Sequence, residues 1–192
     1  MAPPVRRNVH IGQWPLYDAA RHTMLALLAS AVLALVSHST AAPARAANFP
    51  TKGVVVPGRT IGGIGLGMTE SQVKGLWGSN YVPCVKCSPH QTVWLYEYRG
   101  AEPLGAAVKF DQNARVVAVF TLGSPVGWGV KGVMMGDPVS NVYNLFGNTG
   151  NANCIGYSAL TVNIGGAVTS FYSASGVIYG YALTASNLSP CQ

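Results

Sequence analysis

The segment Cys84-Val85-Lys86-Cys87-Ser88-Pro89-His90 places two thiols and an imidazole within seven residues. Such a cluster invites redox, haem or zinc chemistry. A redox pair needs a low-pKa thiolate at a helix N-terminus, whereas Cys87 is followed by Ser-Pro and then a strand-like run. Haem attachment requires His directly after the second cysteine, and Ser88 holds that place. A zinc site would need a fourth ligand, and no second Cys-x-x-Cys supplies one. A structural disulfide between Cys84 and Cys87 is therefore expected, with no metal and no cofactor. The alternative is an envelope thiol oxidoreductase that uses Cys84 and Cys87.

Other catalytic sets are missing by inventory. The remaining imidazoles, His10, His22 and His38, all precede residue 47, and no Gly-x-Ser-x-Gly elbow occurs. Glu97 and Glu102, five apart across a loop, read as solvated hairpin charges rather than an acid/base pair. Gly62, Gly63, Gly65 and Gly67 precede a helix, but no Gly-Lys-Ser/Thr follows, and Met68 stands where a dinucleotide fingerprint has its last glycine. The chain is expected not to be an enzyme. Aromatic surface chemistry remains: Trp94, Tyr96 and Tyr98 alternate along one strand, and Tyr179 and Tyr181 alternate along the last. If these rows lie on an open sheet face they form a contact surface, with Arg99 and Glu102 presented by the Arg99 to Gly105 hairpin loop at its edge.

Only 18 of the 192 residues carry a formal charge, against 23 glycines, which excludes a coiled coil or a charged disordered tail. The net charge of +6 suggests nucleic acid until the charges are located, because four of the seven arginines precede residue 47. Beyond that point eight basic and five acidic residues are spread singly, so no phosphate-tracking surface is expected. Residues 1–46 read as a signal peptide: Arg21, the apolar run Met24 to Val36, and the cleavage pattern Ala44-Arg45-Ala46. That run is too short to span a bilayer, which needs about 20 apolar residues. A secreted or extracytoplasmic bacterial protein is expected, without stable membrane insertion after cleavage.

The elements that must position these residues are written twice. Gly67-Met68-Thr69-Glu70-Ser71-Gln72-Val73-Lys74-Gly75-Leu76-Trp77-Gly78 aligns without a gap on Gly136-Asp137-Pro138-Val139-Ser140-Asn141-Val142-Tyr143-Asn144-Leu145-Phe146-Gly147. Each reads as a short helix with one apolar stripe, Val73, Leu76, Trp77 or Val142, Leu145, Phe146. Thr69 with Gln72 starts the first, and Asp137 with Pro138 starts the second. The strand–turn–strand block Val108 to Val117 is matched by Thr169 to Ile178. Further strands are expected at Val93 to Tyr98 and Tyr157 to Val162, with Gly123 to Lys131 as linker. The predicted fold is α+β, two tandem helix-plus-antiparallel-strand repeats (47–126 and 127–192) forming one sheet with helices on one face.

The phrase Gly67-Met68-Thr69-Glu70-Ser71-Gln72-Val73, closed by a glycine, resembles the Gly-Met-Thr-x-x-Gln-Val signature of the small bacterial envelope proteins that include the β-lactamase inhibitor protein and a lipoprotein subunit of the outer-membrane assembly machine. The tandem arrangement is most similar to the inhibitor, and the resemblance spans roughly residues 60 to 184. It implies a concave sheet and a cysteine shortly after each helix, where Cys84 and Cys154 stand. The second helix departs from the signature, having Asp137-Pro138 for Met-Thr. No inhibitory contact residue matches by position. Four cysteines allow three pairings; Cys84 with Cys87 and Cys154 with Cys191 is expected, the second tethering the C-terminal tail. Together these readings give a secreted, non-enzymatic binding module, inhibitor-like, whose partner is an extracellular or envelope protein or a glycan. A structural envelope protein is the other alternative.

Overall fold

The computed structural model describes residues 48–84, 87, 91–97, 105–123, 125 and 127–191, all within one compact unit, 41–192. The signal-peptide reading, Ala44-Arg45-Ala46 included, lies outside the described residues. Local chemistry starts the first helix, α1 (Glu70–Trp77): the Gln72 N–H donates to Thr69 Oγ1 at 3.2 Å, and the Thr69 N–H donates back to Gln72 Oε1 at 2.9 Å. Helix α2 (Ser140–Phe146) starts differently from the expectation. Its N-cap is Val139, with no side-chain cap bond, while Asp137 Oδ2 accepts from the Met134 N–H at 2.8 Å and so closes the preceding turn. Val73 and Trp77 of α1 and Val142 of α2 are buried, but Leu76, expected in the stripe, is 45% exposed.

Strands dominate the described residues. They are β1 (Lys52–Val56), β2 (Thr60–Ile61), β3 (Val82–Cys84), β4 (Thr92–Tyr96), β5 (Gly105–Phe110), β6 (Val116–Leu122), β7 (Gly127–Val130), β8 (Val133–Met134), β9 (Gly150–Cys154), β10 (Tyr157–Ile164), β11 (Ala167–Ala174) and β12 (Val177–Ala185). Eight form one antiparallel sheet in the order β3-β4-β5-β6-β12-β11-β10-β9; the other four form a small sheet, β2-β1-β7-β8. The expected α+β architecture, one sheet with a helical layer, is thereby corrected to a mostly β fold with two sheets. Strand accounts for 52% of the described residues and helix for 12%. The reason is local: Lys52–Val56 and Gly127–Val130, the latter read as linker, are strands that pair in parallel and build the second sheet. The helices, of eight and seven residues, are too short to form a layer alone.

Each helix is anchored to a hairpin by backbone bonds. The Gly67 N–H donates to Val116 O and the Val116 N–H to Met68 O; likewise Gly136 donates to Ile178 O and Ile178 to Asp137 O. The main core lies between the helices, the small sheet and one face of the large sheet. At its centre Trp77, Trp128, Tyr96 and Phe49 meet with ring centroids 5.2 to 5.7 Å apart. Trp77 donates its indole N–H to Gly62 O at 2.8 Å, and Trp128 donates to Pro50 O at 3.0 Å, which satisfies both buried donors. Gly62 is required here: its φ is +54°, and a Cβ would lie 2.3 Å from the Trp128 ring.

Candidate functional site

The aromatic rows that sequence alternation suggested do not form an open surface. Trp94 is 4% exposed and Tyr96 and Tyr181 are fully buried, all three in the main core. Tyr96 lies against Trp77, Phe49 and Tyr81, and its hydroxyl donates to Gly78 O at 3.3 Å; the Tyr181 hydroxyl donates to Val133 O at 3.2 Å. Tyr98, Arg99 and Glu102, with most of the Arg99 to Gly105 loop, lie outside the described residues. Tyr179 parts company with Tyr181. The register passes from Gly180 opposite Tyr172 to Ile178 opposite Ser173, so Tyr179 is the extra residue of a β-bulge and faces away from the core. It joins Tyr157 and Tyr172, with centroids 6.0 and 6.3 Å away. Gly180, within 2.2 Å of Thr121 O at the position of a Cβ, is the sequence signal of that bulge.

Opposite the core, the large sheet presents a second face. Among the described residues its cluster, Ala159, Tyr172 and Ala182 with Phe120, Leu122 and Tyr179 packed against them, contains no residue of a helix or of the small sheet. Strand alternation places Ala107, Ala118, Ser170 and Thr184 on the same face. Small side chains thus alternate with large ones across β5, β6, β12 and β11, Phe120 standing between Ala107 and Ala182 in one cross-strand row, and together they form the floor of this face. Ser170 Oγ and Thr184 Oγ1 are buried in that floor without a hydrogen-bond partner. Ser170 stands opposite Ala182, and Thr184 is the next same-face residue along β12, so the two hydroxyls are diagonal neighbours. Lys109 is on this face too, and burial pulls its ammonium pKa below the ordinary lysine value. Sequence reading missed Ser170 and Thr184 because a lone hydroxyl in a strand is an unremarkable residue; only the cross-strand register brings them together.

The two disulfides pair as expected, Cys84 with Cys87 and Cys154 with Cys191. The second holds the C-terminal tail against β9 at one end of this face, where the Tyr172 hydroxyl also donates to Pro190 O at 2.8 Å. Burial, and then the neighbouring Tyr157 and Tyr179, raises the Tyr172 pKa well above the ordinary phenol value. Two clefts open elsewhere. One of about 400 Å³ is lined by Asn48, Phe49, Asn80, Val82, Leu95 and Glu97, and one of about 320 Å³ by Lys131, Val133, Asn141 and Leu145 among others. Neither groups a nucleophile with a base. Among the described residues no cluster of three metal-ligating side chains occurs, and no helix is long and apolar enough to cross a membrane.

No protein-family profile and no curated protein matches the chain. Among solved structures it is similar to a cysteine-rich secretory protein from Staphylococcus aureus, at 10% identity and a TM-score of 0.46. The match covers 72% of this chain and 50% of that one, so the chain spans about half the length of that protein.

Proposed function

We propose that the chain is an exported, non-catalytic binding module that engages an extracellular or envelope protein in an inhibitor-like manner. Its contact surface is the face of the eight-stranded sheet opposite the main core. The observation that carries this reading is the half-buried aromatic bank of Tyr157 and Tyr179 over Tyr172, with Phe120 and Leu122 beside it, an apolar patch with polar tips on that face. Ser170 Oγ and Thr184 Oγ1 lie beneath that bank, fully buried, and take no part in contact. One further feature agrees: the two disulfides suit an oxidising compartment. Core burial of Trp94, Tyr96 and Tyr181 removes them from the contact set.

The experiment is affinity capture from the native secretome with the exported protein and a Thr161→Arg variant. Thr161 pairs with Ser170 and is half-buried on the same face, so a bulky cation there blocks the floor from its rim. A protein captured by the wild type and lost with Thr161→Arg, while Leu76→Arg on α1 keeps it, supports the reading. Equal capture by all three, or loss only with Leu76→Arg, refutes it. A captured glycan in place of a protein changes the partner class and overturns the protein-directed proposal.

A further inference from the structure

The small sheet also has an open side, and its character is unusual for its topology. β1 runs parallel to β7, with Lys52 opposite Gly127, Gly53 opposite Trp128 and Val54 opposite Gly129. Parallel pairs occur almost only where both sheet faces are covered, and their strands read as unbroken apolar runs. Val54-Val55-Val56 is such a run. Its inner side is covered: Val55, Trp128 and Val130 are buried in the core. Its outer side is bare, with Val54 63% exposed, Val56 39% and Met134 42%. Val54, Gly129 and Met134 form one cross-strand row, and Gly129 adds no side chain between them.

The charges around this strip are mainly positive. Lys52 shares the outer side of β1 with Val54 and Val56, Arg59 follows in the β1–β2 turn, and Lys131 sits in the β7–β8 turn; all three are exposed. None of them makes an ion pair among the described residues. The nearby carboxylate, Asp137, is engaged by the Met134 N–H. Three aliphatic side chains fall far short of the roughly 800 Å² per partner that a stable dimer buries. A two-fold copy would also set the three cations against their mates. An anionic lipid surface has neither problem, because aliphatic tips enter the interface while lysine and arginine meet the headgroups.

We propose that the outer face of the small sheet, centred on Val54, Val56 and Met134 and rimmed by Lys52, Arg59 and Lys131, docks reversibly on an anionic phospholipid surface. This is peripheral contact, with nothing crossing the bilayer, and it leaves the far face of the large sheet free. The test is co-sedimentation of the exported protein, purified from culture medium and checked by N-terminal sequencing, with vesicles of equimolar phosphatidylglycerol and phosphatidylcholine. Binding that falls with added salt and is absent on pure phosphatidylcholine is expected. Val54→Ser should weaken it roughly tenfold and Lys52→Gln about fivefold, with unchanged circular dichroism, while Ile155→Ser in the fully exposed β9–β10 turn of the other sheet leaves it intact. Failure to sediment with the anionic vesicles overturns the proposal. So does equal binding to neutral vesicles, a dimer in sedimentation velocity that Val54→Ser abolishes, or binding to soluble polyphosphate that matches the vesicle affinity and ignores Val54→Ser.

Discussion

Truncating Tyr96 separates a core role from a surface role more sharply than any other single change. The side chain is fully buried, its ring lies 5.2 Å from Trp77 and 5.5 Å from Phe49, and its hydroxyl reaches the carbonyl of Gly78 at the end of α1. Tyr96→Ala removes a large ring from a packed aromatic centre and leaves a cavity, a change that costs about 3 to 5 kcal/mol. Tyr96→Phe keeps the ring and removes only the 3.3 Å hydroxyl contact, so it should cost about 1 kcal/mol or less. In a domain of this size 1 kcal/mol moves the melting temperature by about 2 to 4 °C, so the alanine variant should melt some 6 to 20 °C lower. Urea denaturation of both variants, followed by tryptophan fluorescence, reads the difference. A Tyr96→Ala loss below about 1 kcal/mol would contradict the core placement and return the Trp94, Tyr96 row to the surface.

Other consequences follow from the same packing. Replacing Cys154 and Cys191 by Ala should lower stability by about 4 kcal/mol, because their bridge closes a 37-residue separation; removing Cys84–Cys87, separated by three, should cost about 2 kcal/mol. Urea melts of the two double variants check the order, and a larger loss for the short bridge would contradict it. Stability should fall in alkali. Burial raises the pKa of Tyr96, Tyr172 and Tyr181, with Asp137 adding to the effect at Tyr181, and it pushes Tyr179 up to about 12. Above about pH 10 the unfolded chain therefore loses phenolic protons that the folded chain keeps. The stabilisation is complete below that pH and declines above it, by up to about 1.4 kcal/mol per pH unit for each fully buried tyrosine. Melts between neutral pH and pH 11 read the slope, and a flat profile would refute the burial. Gly62→Ala should destabilise by about 1 to 3 kcal/mol, since the added methyl meets the Trp128 ring at a positive φ; an unchanged melting curve would count against that contact.

What was legible in the sequence was what local chemistry decides. The α1 start was readable because Thr69 and Gln72 bond to each other across three residues, and the hairpins were readable from strand–turn–strand composition. The small sheet was not. Its defining contact, β1 beside β7, joins residues more than 70 apart, and Gly127-Trp128-Gly129 has the glycine content of a linker until Trp128 is seen filling the core. Alternation also failed as a guide to faces. One bulge residue, Tyr179, reverses the phase of β12, so two tyrosines two apart end on opposite sides of the sheet. The Asp137-Pro138 pair reads equally well as a helix start or a turn, and the Met134 N–H decides between them. The candidate contact floor was the least legible part, because Ser170 and Thr184 come together only through cross-strand register.

Site-specific photocrosslinking in the producing culture tests the sheet-face account most directly. A photoreactive residue at position 161 reports from the rim of the Ser170 and Thr184 floor, and one at position 76 reports from the exposed side of α1. A contact surface on this sheet face yields a discrete protein adduct from position 161 and none from position 76. An adduct from position 76 with none from position 161 would contradict it.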